Sequence, residues 1–126
     1  MSQIIYLVGN LLVEEDSMPL KLASQLREAF PEIDFREFDP TENLPEDTDE
    51  LVLIDTVEGL KKPHVFTKVE DFVTEKPYSM HDFDLGWQLK LYKKLRMINE
   101  VKIIGVPPEG NTNDILSQIS VFIKTV

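Results

Sequence analysis

The chain of 126 residues contains no cysteine, and this absence excludes several kinds of site at once. It can form no disulfide, no thiolate zinc site and no cysteine nucleophile. Long apolar runs are also missing, so we expect no membrane insertion. The N-terminal segment MSQIIYLVGN lacks the basic region and the cleavage site of a signal peptide. Together these absences lead us to expect a cytoplasmic protein.

Basic residues are few for a chain with so many acidic ones. There are 13 lysines and arginines against 23 aspartates and glutamates, which gives a net charge of −10. Nucleic acid is excluded as a partner, because its phosphates would be repelled. A basic partner protein or a metal ion suits this balance better, although solubility alone explains most of the acidic residues.

The sequence motifs that commonly mark catalysis or phosphate binding are absent as well. There is no GxGxxG, no GxSxG and no HExxH. The turn after the first apolar run carries Glu14, Glu15 and Asp16, which would repel a phosphate. A nucleotide-binding domain is therefore the least favoured of the functions that we consider.

Short apolar runs and amphipathic stretches alternate along the chain, and its length fits a single domain over residues 1–126. Ser17 is placed to cap the first of three amphipathic stretches, and Thr112 or Asn113 is placed to cap the last. Ile98 completes the apolar stripe of the middle one. The pattern predicts strands at residues 3–8, 33–38, 51–54, 65–69 and 101–106, and helices at residues 17–30, 84–97 and 111–126.

This alternation predicts an α/β fold, a three-layer α/β/α sandwich with helices on both faces of a sheet of about five strands. The strand at residues 33–38 alternates apolar and charged residues imperfectly, which is typical of an edge strand. The strand at residues 65–69 follows its predecessor too closely for a helical crossover. We therefore expect it to be antiparallel in an otherwise mostly parallel sheet.

Three ionisable residues, Asp16, Asp55 and His81, lie near the ends of apolar runs or the starts of helices. In an α/β sheet these places gather at one edge, where ligands bind. Two carboxylates and one imidazole that converge there would form an open site for a divalent metal.

Each of the three residues also has an ordinary structural explanation. Asp16 suits the positive end of the following helix, Asp55 can bond the backbone after it, and His81 can be an exposed part of a helix cap. Two aspartates in direct contact would instead form an acid–base pair. His64, which begins a strand after a proline, is the weaker candidate among the histidines.

Four segments of the chain resemble the nickel–iron hydrogenase maturation endopeptidases. They are GNLLVEED at residues 9–16, LVLID at 51–55, SMHDFDLG at 79–86 and VKIIGVPPE at 101–109. The resemblance implies an α/β/α fold and an endopeptidase. Such enzymes remove a short C-terminal extension from the precursor of the hydrogenase large subunit after nickel insertion.

The metal-contacting positions of that family fall on Asp16, Asp55 and His81. In that picture nickel belongs to the substrate and serves for recognition, although other divalent metals can occupy such a site. The absence of a serine or cysteine nucleophile favours Asp16 and Asp55 as catalytic residues, with one of them as the base. We expect a monomer whose partner is the large-subunit precursor.

Two segments depart from the family pattern, and both bear on substrate specificity. Residues 17–19 read Ser-Met-Pro where the family often has glycines, and residues 39–42 read Asp-Pro-Thr-Glu where it often has a DGG-like turn. These changes leave open an alternative function, that of a non-catalytic chaperone of metal-centre assembly on the same scaffold.

Overall fold

The computed structural model describes residues 3–9, 17–38, 48–57, 59–67 and 98–125. The helix predicted at residues 84–97 lies outside these ranges. Within them the strands are β1 (Ile4–Val8), β2 (Asp34–Phe38), β3 (Thr48–Thr56), β4 (His64–Phe66) and β5 (Ile98–Val106), and the helices are α1 (Met18–Lys21), α2 (Ala23–Ala29) and α3 (Thr112–Thr125).

The strands form one five-stranded sheet in the order β2-β1-β3-β5-β4. Strand β1 pairs in parallel with β2 on one side and with β3 on the other, and β3 pairs in parallel with β5. Strand β4 runs antiparallel to β5 at one edge, and β2 forms the other edge. The predicted α/β fold with a mixed, mostly parallel sheet is confirmed.

Both faces of this sheet are buried, as a three-layer sandwich requires. The described helices all pack on one face, where they form the helix-side core with sheet residues such as Ile54 and Ile104. The other face carries a second cluster, which we name the opposite core. Its buried members are Val8, Phe38, Leu51, Leu53, Val57, Phe66, Val101 and Ile103.

The first predicted helix is present, but it is divided at Leu22. This residue has φ −86° and ψ −9°, and it separates α1 from α2 by one residue. Pro19 lies in the first turn, where its missing N–H costs nothing. Ser17 is the N-terminal cap residue, as predicted, but its side chain makes no capping hydrogen bond.

The cap predicted for the last helix, Thr112 or Asn113, was wrong by one or two residues. Asn111 provides the cap instead. Its Oδ1 atom accepts hydrogen bonds from the backbone N–H groups of Asn113 at 2.9 Å and Asp114 at 3.2 Å. Asn111 precedes the helix, so its oxygen can reach donors that have no partner inside the first turn.

Strands β3 and β5 are both longer than their apolar runs. Thr48 pairs with Ile98 and Glu50 with Glu100, so the parallel ladder extends beyond the apolar segments. Ile98 therefore begins a strand and does not belong to a helical stripe. Lys102 Nζ lies 3.5 Å from Glu50 Oε1, which offsets the repulsion between the two facing glutamates.

Strand β4 starts one residue before the predicted strand and ends at Phe66. It pairs with residues 103–105 of β5, and its first residue faces Gly105. Among the described residues, no helix combines the length and the apolar character that crossing a bilayer demands.

Candidate functional site

The sheet changes direction between β1 and β3. The chain passes from β1 to β2 on one side, whereas β3 pairs on the opposite side of β1. In open α/β sheets the crevice beyond the carboxyl ends of two such strands is the usual ligand site. Gly9 leaves β1 at this point, and its N–H still bonds Phe38 O at 3.3 Å.

Asp55 lies at the carboxyl end of β3, beside this crevice. It is the second-last residue of the strand, whereas the sequence prediction placed it just after the strand. Its exposed fraction is 1%, although most aspartates in proteins are exposed. A buried carboxyl group in the central part of a sheet is costly unless it has partners.

One partner of Asp55 is the backbone directly after it. The Thr56 N–H donates a hydrogen bond of 2.8 Å to Asp55 Oδ1. A backbone N–H bonded to a carboxylate is stronger than a neutral hydrogen bond and fixes the orientation of the carboxyl group. The predicted hydrogen bond between Asp55 and the backbone after it is thus confirmed. Such a hydrogen bond does not require the carboxyl group to be buried, so the hypothesis that Asp55 belongs to a functional site is not replaced by it.

Gly105 lies directly opposite Asp55 in the parallel pairing of β3 and β5. A Cβ atom at Gly105 would lie 2.9 Å from both Phe66 Cε2 and Val57 Cγ2, and 3.1 Å from Leu60 Cδ1. These side chains occupy the space above the glycine. Sequence analysis missed this residue, although a glycine inside the apolar strand VKIIGV is a known signal of close approach.

The alternation of side chains along β3 shows on which face of the sheet the Asp55 carboxyl group lies. Leu51 and Leu53 belong to the opposite core, and Val52 and Ile54 to the helix-side core. Because side chains alternate between faces, Asp55 is on the face of the opposite core. It therefore lies at the carboxyl rim of that core.

The other two predicted site residues, Asp16 and His81, lie outside the described residues, as do Glu14 and Glu15. Their convergence with Asp55 therefore stays a prediction. The described ranges by themselves contain no group of three acidic or histidine side chains that could hold a metal ion. A site of the predicted kind needs ligands from the other segments.

Comparison with solved structures finds close agreement in fold at low sequence identity. The hydrogenase-maturating endopeptidase HybD from E. coli aligns over 98% of this chain and 93% of its own, with a TM-score of 0.67 and 15% identity. An endopeptidase from Escherichia coli, solved in solution, aligns over 98% and 88%, with a TM-score of 0.66 and 18% identity. The chain has the fold of the hydrogenase maturation endopeptidases.

A hydrogenase 3 maturation protease shares this fold with a TM-score of 0.60 and 17% identity over 94% of this chain and 86% of that protein. No protein-family model matches the sequence, and no curated protein matches it. The resemblance inferred from four short segments is thus confirmed at the level of the fold. In this chain, Asp55 lies beside the crevice at the carboxyl ends of β1 and β3.

Proposed function

We propose that this protein is an endopeptidase that removes a short C-terminal extension from the precursor of a nickel–iron hydrogenase large subunit after nickel insertion. The observation that carries the proposal is the burial of Asp55 beside the crevice where the strand order changes direction, in a fold shared with maturation endopeptidases. A buried carboxylate at this position can bind a metal or accept a proton.

In this proposal, nickel is part of the substrate and marks a precursor that is ready for cleavage. Asp16, Asp55 and His81 supply two carboxylates and one imidazole to it, which leaves coordination positions for the large subunit's own ligands. Recognition of this kind makes cleavage depend on nickel insertion, because a nickel-free precursor offers nothing for these three side chains to bind.

The proposed chemistry is hydrolysis by an activated water molecule. The sequence shows no serine or cysteine nucleophile motif, so a carboxylate is the best base that the site offers. Asp55 Oδ1 accepts a hydrogen bond from the Thr56 N–H, and the Asp55 carboxyl group is the group that we assign to the water or to the metal. Asp16 is the second candidate base.

The test is incubation of the protein with nickel-loaded and nickel-free precursor of a hydrogenase large subunit. We expect the wild type to shorten only the nickel-loaded form. The His81→Ala variant should lose both its binding to the precursor and this selectivity. Equal shortening of both forms would contradict the role of nickel. Stable association with the loaded precursor without any shortening would instead favour a non-catalytic chaperone.

A further inference from the structure

The connection between β3 and β4 frames a surface cleft near the candidate site. The cleft has a volume of about 320 Å³, which is at the lower end of the range for small-ligand sites. A cleft of this volume is too small for a folded partner, but it can take the end of a peptide. The described residues that line it are Gly59, Leu60, Lys61, Lys62, Pro63 and His64.

The cleft is cationic in a strongly acidic protein. Lys61, Lys62 and His64 are exposed, and within the described part of the chain neither lysine takes part in an ion pair. The whole chain carries a net charge of −10, so most of its surface repels anions. Two neighbouring lysines that line a cleft offer positive charge to a compact anion such as a carboxylate.

The strand pairing places His64, which lines this cleft, and Asp55 in one row of paired residues across β3, β5 and β4. Asp55 faces Gly105 on β5, and Gly105 in turn faces His64 on β4. His64 is two residues from Phe66 of the opposite core, so it shares the face of Asp55. Adjacent strands lie about 4.8 Å apart, which puts Asp55 and His64 about 10 Å apart along the sheet.

Side chains beside the cleft pack against Gly105, the residue that lies between Asp55 and His64 in the sheet. Leu60 and Phe66 both fill the space above Gly105, and the His64 ring contacts the Phe66 ring edge to face, with centroids 4.7 Å apart. The Leu60 N–H bonds Val57 O at 3.3 Å, which closes the turn at Gly59. The cleft is therefore held in a fixed position relative to Asp55.

We propose that this cleft binds the C-terminal carboxylate of the extension that the enzyme removes, with Lys61 and Lys62 as its charge partners. The inference rests on the proposed function and names the part of the substrate that is held. An extended peptide rises about 3.3 Å per residue, so about three residues are the minimum that spans the distance from Asp55 to His64. The site then holds both sides of the scissile bond.

The test uses a synthetic peptide with the C-terminal extension of a large-subunit precursor, made once with a free carboxylate and once with a C-terminal amide. NMR spectra of the labelled protein are recorded with each peptide. We expect the acid peptide to shift the backbone amide signals of residues 59–62 and of His64, and to bind about three- to tenfold more tightly than the amide. In Lys61→Gln/Lys62→Gln this preference should disappear.

The matched control is Lys21→Gln/Lys124→Gln, which removes the same charge from two exposed lysines on α1 and α3. This control should keep the preference of the wild type. Equal binding of acid and amide peptides, or an equal loss in both double variants, overturns the proposal. Shortening of the precursor is measured separately, so failure of the carboxylate site is distinguishable from failure of the proposed protease.

Discussion

At the scale of single residues, the row from Asp55 through Gly105 to His64 links the candidate site to the edge of the sheet. The carboxyl group at one end is buried, the middle position has no side chain, and the imidazole at the other end is exposed. The glycine is required because neighbouring side chains already fill the space that its Cβ would take.

Gly105→Ala should therefore destabilise the protein. A methyl group 2.9 Å from both Phe66 and Val57 overpacks the core, and such changes cost about 1–3 kcal/mol. Urea unfolding of the variant measures this cost. Val57→Ala removes one of the two closest atoms, so adding Gly105→Ala to that variant should cost less. An equal cost in both backgrounds would show that the contact with Val57 is not a cause of the loss.

The sequence located Asp55 but not the row around it. Asp55 was identifiable because it closes a run of apolar residues, and its position near the strand end follows from that pattern. The pairing with Gly105 depends on the register between β3 and β5, which are more than forty positions apart in the chain. No local pattern encodes such a register.

At the scale of elements, α3 shows what sequence periodicity predicts well. Its 14 residues, Thr112–Thr125, agree with the predicted range to within one residue at each end. Ile115, Ile119 and Ile123 are buried, as the helical spacing indicates. The cap was misplaced because several neighbouring residues are all good caps, and only the backbone geometry selects one.

Asn111→Ala should lower the free energy of unfolding by about 0.5–2 kcal/mol, because two backbone donors of α3 lose their acceptor. Chemical denaturation measures the change. Thr112→Ala is the control, since Thr112 was a predicted cap that makes no such contact among the described residues. A larger loss for Thr112→Ala than for Asn111→Ala would contradict the cap seen in the structure.

Burial along α3 gives a second comparison within one element. Ile119 has an exposed fraction of 0% and Val121 one of 61%. Ile119→Ala should cost about 2–5 kcal/mol through the cavity that it leaves, whereas Val121→Ala should stay within about 0.5 kcal/mol of the wild type. Similar midpoints for the two variants in thermal unfolding would mean that α3 does not pack on the sheet through Ile119.

The strand ends were harder to predict than the helix, for a physical reason. Thr48 and Glu50 are polar or charged and read as part of a loop, yet they continue β3 because β5 offers a parallel partner. Strand pairing is decided by contacts between distant segments, whereas helix periodicity is local. The same competition moved Ile98 from a predicted helical stripe into β5.

At the scale of the whole molecule, the order of the strands brings the carboxyl ends of β1 and β3 together at the place where the connections change direction. The order of elements in the sequence predicts this class of sheet, and the shared fold of the maturation endopeptidases agrees with it. We propose that Asp55, at this crevice, is needed for peptide cleavage.

Mass spectrometry of a nickel-loaded large-subunit precursor tests this requirement, after incubation with the wild type, Asp55→Asn or Asp34→Asn. Asp55→Asn retains the shape of the side chain and an oxygen for the Thr56 N–H, but it removes the charge. Asp34→Asn is a matched control. Asp34 lies at the start of β2, at the opposite ends of the parallel strands, and its ion pair with Arg36 is largely exposed.

We expect the wild type and Asp34→Asn to remove a defined C-terminal segment. Asp55→Asn should bind the precursor and cleave it at least about 100-fold more slowly, as is typical when a general base is lost. Cleavage by Asp55→Asn at the wild-type rate would contradict the assignment of the site.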